Sequence, residues 1–184
     1  MIKKFLDLGM QPLANKYLTK KDIIKKNKEQ FYHLEVGFNS KTKLVSIVNT
    51  VPSKKMFDGN YPYMSSMSQT MILSFKKLAK NLIKTYNPNS ILEIGSNDGP
   101  FIRNFSKKKV ICVEPCKNLA IITKRMGYKT YVSFWNMRLA KKIKSKTEKI
   151  ELIYSANTLS HINNLNSVFR SIAYILSDDG ILII

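Results

Sequence analysis

The residues best suited to chemistry lie in a glycine-containing turn near the middle of the chain. The segment Ile91-Leu92-Glu93-Ile94-Gly95-Ser96-Asn97-Asp98-Gly99 has the pattern of a buried strand that enters a tight turn and then a helix. Gly95 allows a ligand to approach the backbone closely, and Gly99 relieves the turn where the helix begins. In doubly wound folds, ligands bind beyond the carboxyl ends of such strands, so we expect a ligand site here.

An acidic residue after the next strand narrows the class of ligand. Glu114 lies 19 residues after Gly95, where a carboxylate accepts both hydroxyls of a ribose. A dinucleotide motif G-x-G-x-x-G would need glycines at positions 97 and 100, which are Asn97 and Pro100. The spacing therefore favours a nucleoside cofactor that has no pyrophosphate. The alternative is that both glycines only form turns and that Glu114 only starts a helix.

The elements around this turn alternate between strand and helix from residue 65 onward. Ser68 is a suitable N-cap for an amphipathic helix that ends near Tyr86, before Pro88. This alternation predicts an α/β fold with a Rossmann-like parallel sheet and helices on both faces. We predict strands at 90–94, 109–113, 130–133, 150–155 and 181–184, helices at 100–107, 118–126, 137–143 and 165–176, and a turn at 178–180.

The first 64 residues have a different pattern. Residues 34–38 and 44–48 alternate apolar with small or polar side chains, and residues 39–42 have turn chemistry, which together predict a β-hairpin. We therefore expect two domains, a small β-containing N-terminal module at 1–64 and a cofactor-binding domain at 65–184.

Several motifs carry a closer resemblance. A strand, E-x-G-x-x-x-G and a later strand-end acid resemble the first motif of class I S-adenosylmethionine-dependent methyltransferases. The segment from Glu93 to Gly99 resembles the "EIGSNDG" of the nucleotide-deoxysugar C-methyltransferases, which act on nucleotide-linked keto sugars. Other segments resemble that family's motifs in the same order, at 8–15, 57, 61–68, 113–120, 130, 134–135 and 156–162. The resemblance covers nearly the whole chain and implies S-adenosylmethionine as cofactor and a keto-sugar nucleotide as substrate.

The resemblance also implies which residues hold the cofactor. Glu114 should bind the ribose, while Asn97 and Asp98 should orient the amino acid end of the cofactor through water. Phe134 or Trp135 should lie against the adenine, with an ordinary core role as the alternative. The full set of expected cofactor-binding residues is Glu93, Gly95, Ser96, Asn97, Asp98, Gly99, Glu114, Pro115, Phe134 and Asn157, the last facing the methionine end.

Two residues are the candidates for the chemical step. His161 follows the fourth strand of the predicted sheet, where the resemblance implies a position beside the sugar. Tyr63 is a candidate phenol donor to the substrate, with Tyr61 as its alternate. The alternatives are a surface or capping histidine and a tyrosine that only packs within its loop.

The chain departs from the family in its cysteines. The family carries a four-cysteine zinc site, half of it on the hairpin, where this chain has Asn39 and Thr42. This chain also begins after the position of the first pair. Cys112 and Cys116 belong to the segment around Glu114 and cannot substitute, so we predict no metal. Two cysteines make no disulfide framework, which favours a reducing, cytoplasmic setting.

A second departure concerns the C-terminal part of the family. The resemblance implies a further domain with a Glu-His pair near the sugar, whose histidine is expected to be the base that removes the proton next to the ketone. In this chain, the sheet is expected to stop after its fifth strand. We therefore expect a fragment, a truncated gene product, or one half of a split enzyme whose partner chain supplies the rest. A remnant that binds the cofactor without catalysis is the alternative function.

The formal net charge of +19 raises the alternative of a nucleic-acid-binding or nucleic-acid-modifying protein. Only four of the 31 basic residues are arginines, the side chain best suited to bidentate phosphate contacts. The lysines are scattered in pairs and triplets, as AT-rich codon usage would also produce. We therefore favour solvated lysine faces over a nucleic-acid partner. No apolar run reaches the length of about 18 residues that a membrane helix needs, so we expect no membrane partner.

Overall fold

A computed structural model describes residues 2–24 and 29–184 of the chain. The lysine pair at 25 and 26 lies outside these residues. Contacts divide the chain into two units, Met1–Phe57 and Asp58–Ile184, and each is described by itself. This division lies at residue 57, whereas the sequence analysis placed a boundary after residue 64.

The first unit contains a three-stranded antiparallel sheet in the order β1-β2-β3. Its strands are β1 (Ile2–Pro12), β2 (Phe31–Asn39) and β3 (Val45–Ile47), and its short helices are α1 (Lys20–Ile24) and α2 (Ser53–Met56). The predicted hairpin is confirmed as the β2–β3 pair. Asn39 closes its turn, because its Oδ1 accepts hydrogen bonds from the backbone N–H groups of Lys41 at 3.0 Å and Thr42 at 3.2 Å.

Strand β1 is not among the elements predicted from the sequence, because its pairing with β2 is irregular. Its register with β2 shifts between Lys4 and Leu6 and again between Asp7 and Met10. Gly9 lies within the second shift at φ +66°, a left-handed conformation that glycine adopts readily. Each irregularity reverses the faces on which side chains point, so the period-two pattern of a strand is absent from the sequence.

The second unit contains a five-stranded parallel sheet in the order β6-β5-β4-β7-β8, which confirms the predicted α/β class. Among the described residues, no helix combines the length and apolar character needed to cross a membrane. The strands are β4 (Ile91–Ile94), β5 (Val110–Val113), β6 (Lys129–Tyr131), β7 (Ile150–Tyr154) and β8 (Leu176–Ile183), and the helices are α3 (Gln69–Tyr86), α4 (Lys117–Arg125), α5 (Met137–Lys144) and α6 (Leu165–Ile175).

The sheet is covered on both faces, and its central strands are buried and mostly apolar. One face packs against α5 and α6, where Leu92 and Ile94 of β4 join side chains such as Ile143 and Ile172 in one buried cluster. The other face packs against α3 and the segment after β4, where Phe101 stacks on Tyr154 with ring centroids 3.9 Å apart. Strands buried on both faces lack alternation, which is why they appear in the sequence as short apolar runs.

The strand order reverses next to β4, and this position defines where a ligand can bind. Strands β4, β5 and β6 extend the sheet in one direction, whereas β7 and β8 lie on the other side of β4. The connections from neighbouring strands diverge at this point and leave a crevice at the carboxyl ends of the strands. The glycine-containing turn follows β4 at that crevice.

Two local predictions for this unit are wrong. Instead of one helix at 100–107, the chain forms two short 3-10 turns, Ile102–Asn104 and Lys107–Lys109. Asn104 explains the interruption, because its Nδ2 donates to the carbonyl oxygens of Pro100 at 3.1 Å and Phe101 at 2.9 Å. The turn predicted at 178–180 lies within β8, at an irregularity in its pairing with β7.

Ser68 is confirmed as the N-cap of α3, since its Oγ accepts a hydrogen bond from the Met71 N–H at 3.3 Å. We expect Ser68→Ala to lower the free energy of unfolding by about 1 kcal/mol, because that N–H loses its partner. Ser74→Ala is the matched control, since Ser74 is exposed in the interior of the same helix. Urea unfolding followed by circular dichroism measures both, and equal effects of the two variants would contradict a capping role.

Candidate functional site

The turn after β4 is wound by three left-handed residues at alternate positions. Gly95, Asn97 and Gly99 have φ angles of +78°, +49° and +86°. The turn is tied to the neighbouring strand, because the N–H groups of Gly95 and Ser96 donate to Val113 O at 2.8 and 3.2 Å. The predicted turn residues therefore lie together in one hydrogen-bonded loop at the carboxyl ends of β4 and β5.

Glu114 joins this turn to the one that follows β5. Its Oε2 accepts a hydrogen bond from Asn97 N–H at 2.7 Å, and its Oε1 accepts one from Cys116 N–H at 2.9 Å. Only 4% of Glu114 is exposed, and burial raises the pKa of its carboxyl although both N–H groups act to lower it. Each oxygen keeps a second lone pair, so Glu114 is still able to accept hydroxyl groups of a ligand.

The segment Tyr61–Ser66, which we call the strap, is hydrogen-bonded to both turns. Asn97 Oδ1 accepts from Ser65 N–H at 2.9 Å, and Asp98 Oδ1 accepts from Ser66 N–H at 3.1 Å. Asn118, at the start of α4, donates from Nδ2 to Tyr61 O at 2.8 Å. The predicted cofactor residues Asn97 and Asp98 thus have a role that the sequence analysis did not anticipate, which is to hold the strap.

Tyr63 lies on the strap and His161 lies beyond β7. The Tyr63 side chain is 49% exposed, while its carbonyl oxygen accepts from Asn97 Nδ2 at 3.1 Å. His161 ends the 3-10 turn Leu159–His161 and is exposed. His161 follows β7, as expected from the sequence, and Tyr63 borders the turn after β4 through its bond to Asn97, while the chemical roles of both residues stay predictions.

The turn after β7 reaches the turn after β4 through Thr158. A Cβ atom added to Gly95 would collide with the Thr158 side chain, which therefore fills the space that the glycine leaves. The preceding residue, Asn157, is exposed and left-handed at φ +51°. Thr158 is a residue that the sequence analysis missed, since nothing in its local pattern indicates a contact 63 positions away.

The aromatic pair after β6 divides between two environments. Trp135 is 7% exposed and packs into the core cluster that includes Leu139 and Ile143. Phe134 is only half-buried, and its carbonyl oxygen accepts hydrogen bonds from Ser133 Oγ and Asn136 Nδ2. Phe134 is the less buried residue of the pair, and its contact with a ligand stays a prediction.

Glu93 is a buried carboxyl on the α3 side of the sheet. It is aligned in register with Cys112 on β5 and Tyr154 on β7, and only 4% of it is exposed. Burial, followed by the nearby carboxyls of Glu114 and Asp98, raises its pKa well above the usual value. Burial and the Glu93 charge together raise the pKa of both Cys112 and Tyr154 to about 12, so both of these groups are neutral.

This burial makes a prediction about pH. A carboxyl whose pKa is raised by folding destabilises the folded state as pH rises from its unfolded value, near 4.5, through its folded value. We expect Glu93→Gln to remove that effect. The variant should have a higher free energy of unfolding than the wild type at pH 8. This difference between variant and wild type should be larger at pH 8 than at pH 5 by about 1 kcal/mol or more. Urea unfolding at both pH values measures this difference, and a difference equal at both would contradict burial as the cause.

The first unit contains a polar cluster of its own. The ligand-type atoms of Asp7, His33 and Glu35 lie within 4.8 Å of one another, an arrangement that is able to hold a cation. Each already has partners, since His33 Nε2 lies 2.8 Å from Asp7 Oδ1, and Glu35 pairs with Lys4 Nζ and Asn49 Nδ2, both at 2.6 Å. The network therefore ties β1 to β2 as it stands.

The four-cysteine zinc site of the family does not fit this unit. Residues 1–57 contain no cysteine, and Asn39 uses its side chain to close the hairpin turn. Cys112 and Cys116 are free and buried in the second unit. The hairpin is thus held by a side-chain turn at the position where cysteines would bind zinc.

Comparison with known protein families divides the chain into the same two parts as the structure does. Residues 1–57 match the model of a proposed zinc binding domain, and residues 66–184 match that of a methyltransferase domain. The C-methyltransferase NovU of Streptomyces niveus is 23% identical over 181 residues. That alignment covers 96% of this chain and 42% of NovU, so the chain spans less than half the length of this relative.

Solved structures share the fold of the second unit. A proposed S-adenosyl-L-methionine-dependent methyltransferase of Methanococcus maripaludis is 18% identical, with a TM-score of 0.52 over 73% of this chain and 66% of that one. The plantazolicin methyltransferase BamL, solved in complex with a triazolic desmethylPZN analog and SAH, is 16% identical, with a TM-score of 0.50 over 64% of this chain and 47% of that one. Since the methyltransferase-domain model matches more than half of the chain and the fold agrees with it, this protein belongs to the methyltransferase-domain family and has the class I fold whose cofactor is S-adenosylmethionine.

Proposed function

We propose that this chain binds S-adenosylmethionine at the carboxyl ends of β4 and β5 and serves methyl transfer to a carbon of a nucleotide-linked keto-deoxysugar. The cofactor assignment depends on one observation. The buried carboxyl of Glu114 joins the turn after β4 to the turn after β5, at the switch point of the sheet. Support for the sugar part comes from the "EIGSNDG" turn and from the likeness to a C-methyltransferase along 96% of the chain.

The residues present fit the proposed cofactor. Glu93 Oε2, Ser96 Oγ and Asn118 Oδ1 are buried and have no hydrogen-bond partner among the described residues. Because buried polar groups are normally hydrogen-bonded, three such atoms around the two turns favour a polar ligand in the crevice. Glu114 would accept the ribose hydroxyls, the turn from Gly95 to Gly99 would hold the amino acid end with Asn157, and Phe134 would cover the adenine beside Pro115.

The proposed chemistry needs two further groups from the protein. The cofactor supplies a methyl group made electrophilic by its positive sulfur. Methylation of a carbon beside a ketone also needs a base to remove a proton from that carbon and a donor to the ketone oxygen. We propose that His161 lies beside the sugar and that the Tyr63 hydroxyl donates to the ketone oxygen. The resemblance assigns the base to the histidine of the family's C-terminal domain.

A transfer assay with defined acceptors tests this proposal. The chain is incubated with methyl-labelled S-adenosylmethionine and either a nucleotide-linked keto sugar, the same nucleotide sugar without the ketone, or an oligonucleotide. We expect label only on the keto sugar. Label on the sugar without a ketone, or on the oligonucleotide, would contradict the proposed substrate class. Cofactor binding without transfer to any acceptor would support the alternative of a non-catalytic binding protein.

The partners and the compartment belong to the proposal as well. The chain matches only 42% of the length of NovU. The activity of a whole protein of this kind is therefore part of the proposal. The proposed small-molecule partner is a nucleotide-linked sugar. The proposed protein partner is a second chain that supplies the C-terminal half of the enzyme. A cytoplasmic setting is consistent with the two free, buried cysteines.

A further inference from the structure

The strap is held by a side-chain amide that contacts its backbone at two points. Asn97 Nδ2 donates to Tyr63 O at 3.1 Å, and Asn97 Oδ1 accepts from Ser65 N–H at 2.9 Å. Met64 between them is extended, with φ −119° and ψ +121°. In extended backbone, the C=O before a residue and the N–H after it point to the same side. One amide group therefore pairs with the strap as the edge of a neighbouring strand would.

The same residue is joined to Glu114 through its backbone. The Asn97 N–H donates to Glu114 Oε2 at 2.7 Å, so one residue connects the proposed ribose carboxylate to the strap. Its left-handed φ of +49° is a conformation that asparagine tolerates better than most residues. Tyr63, the proposed donor to the substrate, lies directly next to the contacted bonds.

We propose that Asn97 is a positioning residue, whose side-chain amide fastens the strap to the cofactor turn and so couples cofactor binding to the placement of Tyr63. The coupling rests on the proposed function, whereas the fastening is a property of the chain without ligand. Asn97 acts through the strap backbone and through Glu114. This adds to the role expected from the sequence, in which Asn97 orients the amino acid end of the cofactor through water.

Asn97→Gly tests the proposal. Glycine keeps the left-handed conformation and the N–H that donates to Glu114. It removes the side-chain amide, which holds the strap and whose Oδ1 also accepts from the Asp98 N–H at 2.9 Å. Asn87→Gly is the matched control, because Asn87 is also left-handed, at φ +41°, and ends α3 away from the strap. Hydrogen exchange of the strap amides is measured with and without S-adenosylhomocysteine, whose dissociation constant is measured by calorimetry.

We expect the Ser65 amide of Asn97→Gly to exchange roughly three- to tenfold faster than in the wild type without ligand, as loss of one hydrogen bond implies. S-adenosylhomocysteine should slow exchange of the strap in the wild type and in Asn87→Gly but not in Asn97→Gly. Its dissociation constant in Asn87→Gly should stay within about threefold of the wild-type value, because this control lies outside the proposed site and a change of 1.4 kcal/mol would be tenfold.

Three results would overturn the proposal. Unchanged Ser65 exchange in Asn97→Gly would mean that the amide does not fasten the strap. If Asn97→Gly binds S-adenosylhomocysteine more than about tenfold more weakly while its strap exchanges as in the wild type, the Asn97 side chain binds the cofactor directly. Ligand binding to the wild type without any change in the strap would exclude the coupling. If the wild type binds no ligand, the proposed function and the coupling fail, and exchange without ligand still decides the fastening.

Discussion

Glu114→Gln is expected to raise the dissociation constant for S-adenosylhomocysteine by about tenfold or more, as measured by isothermal titration calorimetry. The carboxylate accepts from two backbone N–H groups, Asn97 at 2.7 Å and Cys116 at 2.9 Å. An amide of the same shape places an NH₂ group against one of these donors. Hydrogen bonds to a charged group contribute about 1.5–3 kcal/mol, and 1.4 kcal/mol is a factor of ten in affinity.

Glu151→Gln is the matched control for this variant. Glu151 Oε2 accepts from Asn89 N–H at 2.8 Å, but this contact lies at the amino ends of the strands. The control should therefore bind the ligand as the wild type does. The affinity of the wild type should also fall as pH is lowered toward the raised pKa of Glu114, because protonation removes an acceptor. Equal affinity of Glu114→Gln and wild type would remove Glu114 from the site.

Gly95→Ala is expected to lower the free energy of unfolding by about 3 kcal/mol and to abolish ligand binding. The left-handed φ of +78° costs an alanine about 1–2 kcal/mol. The new Cβ would also collide with the Thr158 side chain, and overpacking of this kind costs about 1–3 kcal/mol. Relief requires the turn after β4 or the turn after β7 to move, and both border the proposed site. Urea unfolding and calorimetry measure the two effects.

Gly127→Ala separates the two causes. Gly127 has a φ of +91°, and its added Cβ would meet the Lys107 side chain at 3.5 Å, an ordinary contact. This control should lose only the conformational part and should bind the ligand normally. If Gly95→Ala is no less stable than Gly127→Ala, the inference that Thr158 packs closely against Gly95 is wrong.

The sequence predicted the second unit well because its signals are local. Apolar runs such as 91–94 and 150–154, Ser68 before α3 and the glycine after α4 each define an element within a few residues. The strand-end acid Glu114 was found through its spacing from the glycine turn. Such features need no knowledge of distant contacts, and the fold class follows from their order.

The parts that were missed depend on contacts between distant residues or on backbone irregularities. In strand β1, two register shifts interrupt the alternation of apolar and polar residues. The helix expected at 100–107 is interrupted by the side chain of Asn104. The strap contacts of Asn97 span 32 and 34 positions. Residue type alone indicated a polar role for Asn97, but only the folded chain identifies the backbone groups that it holds.

The most direct test of the cofactor site is titration of the folded wild-type chain with S-adenosylhomocysteine by isothermal calorimetry. The site predicts saturable binding of one ligand per chain, weakened in Glu114→Gln and unchanged in Glu151→Gln. A chain with intact near-ultraviolet circular dichroism that gives no saturable heat would contradict the assignment of the β4 and β5 turns to S-adenosylmethionine.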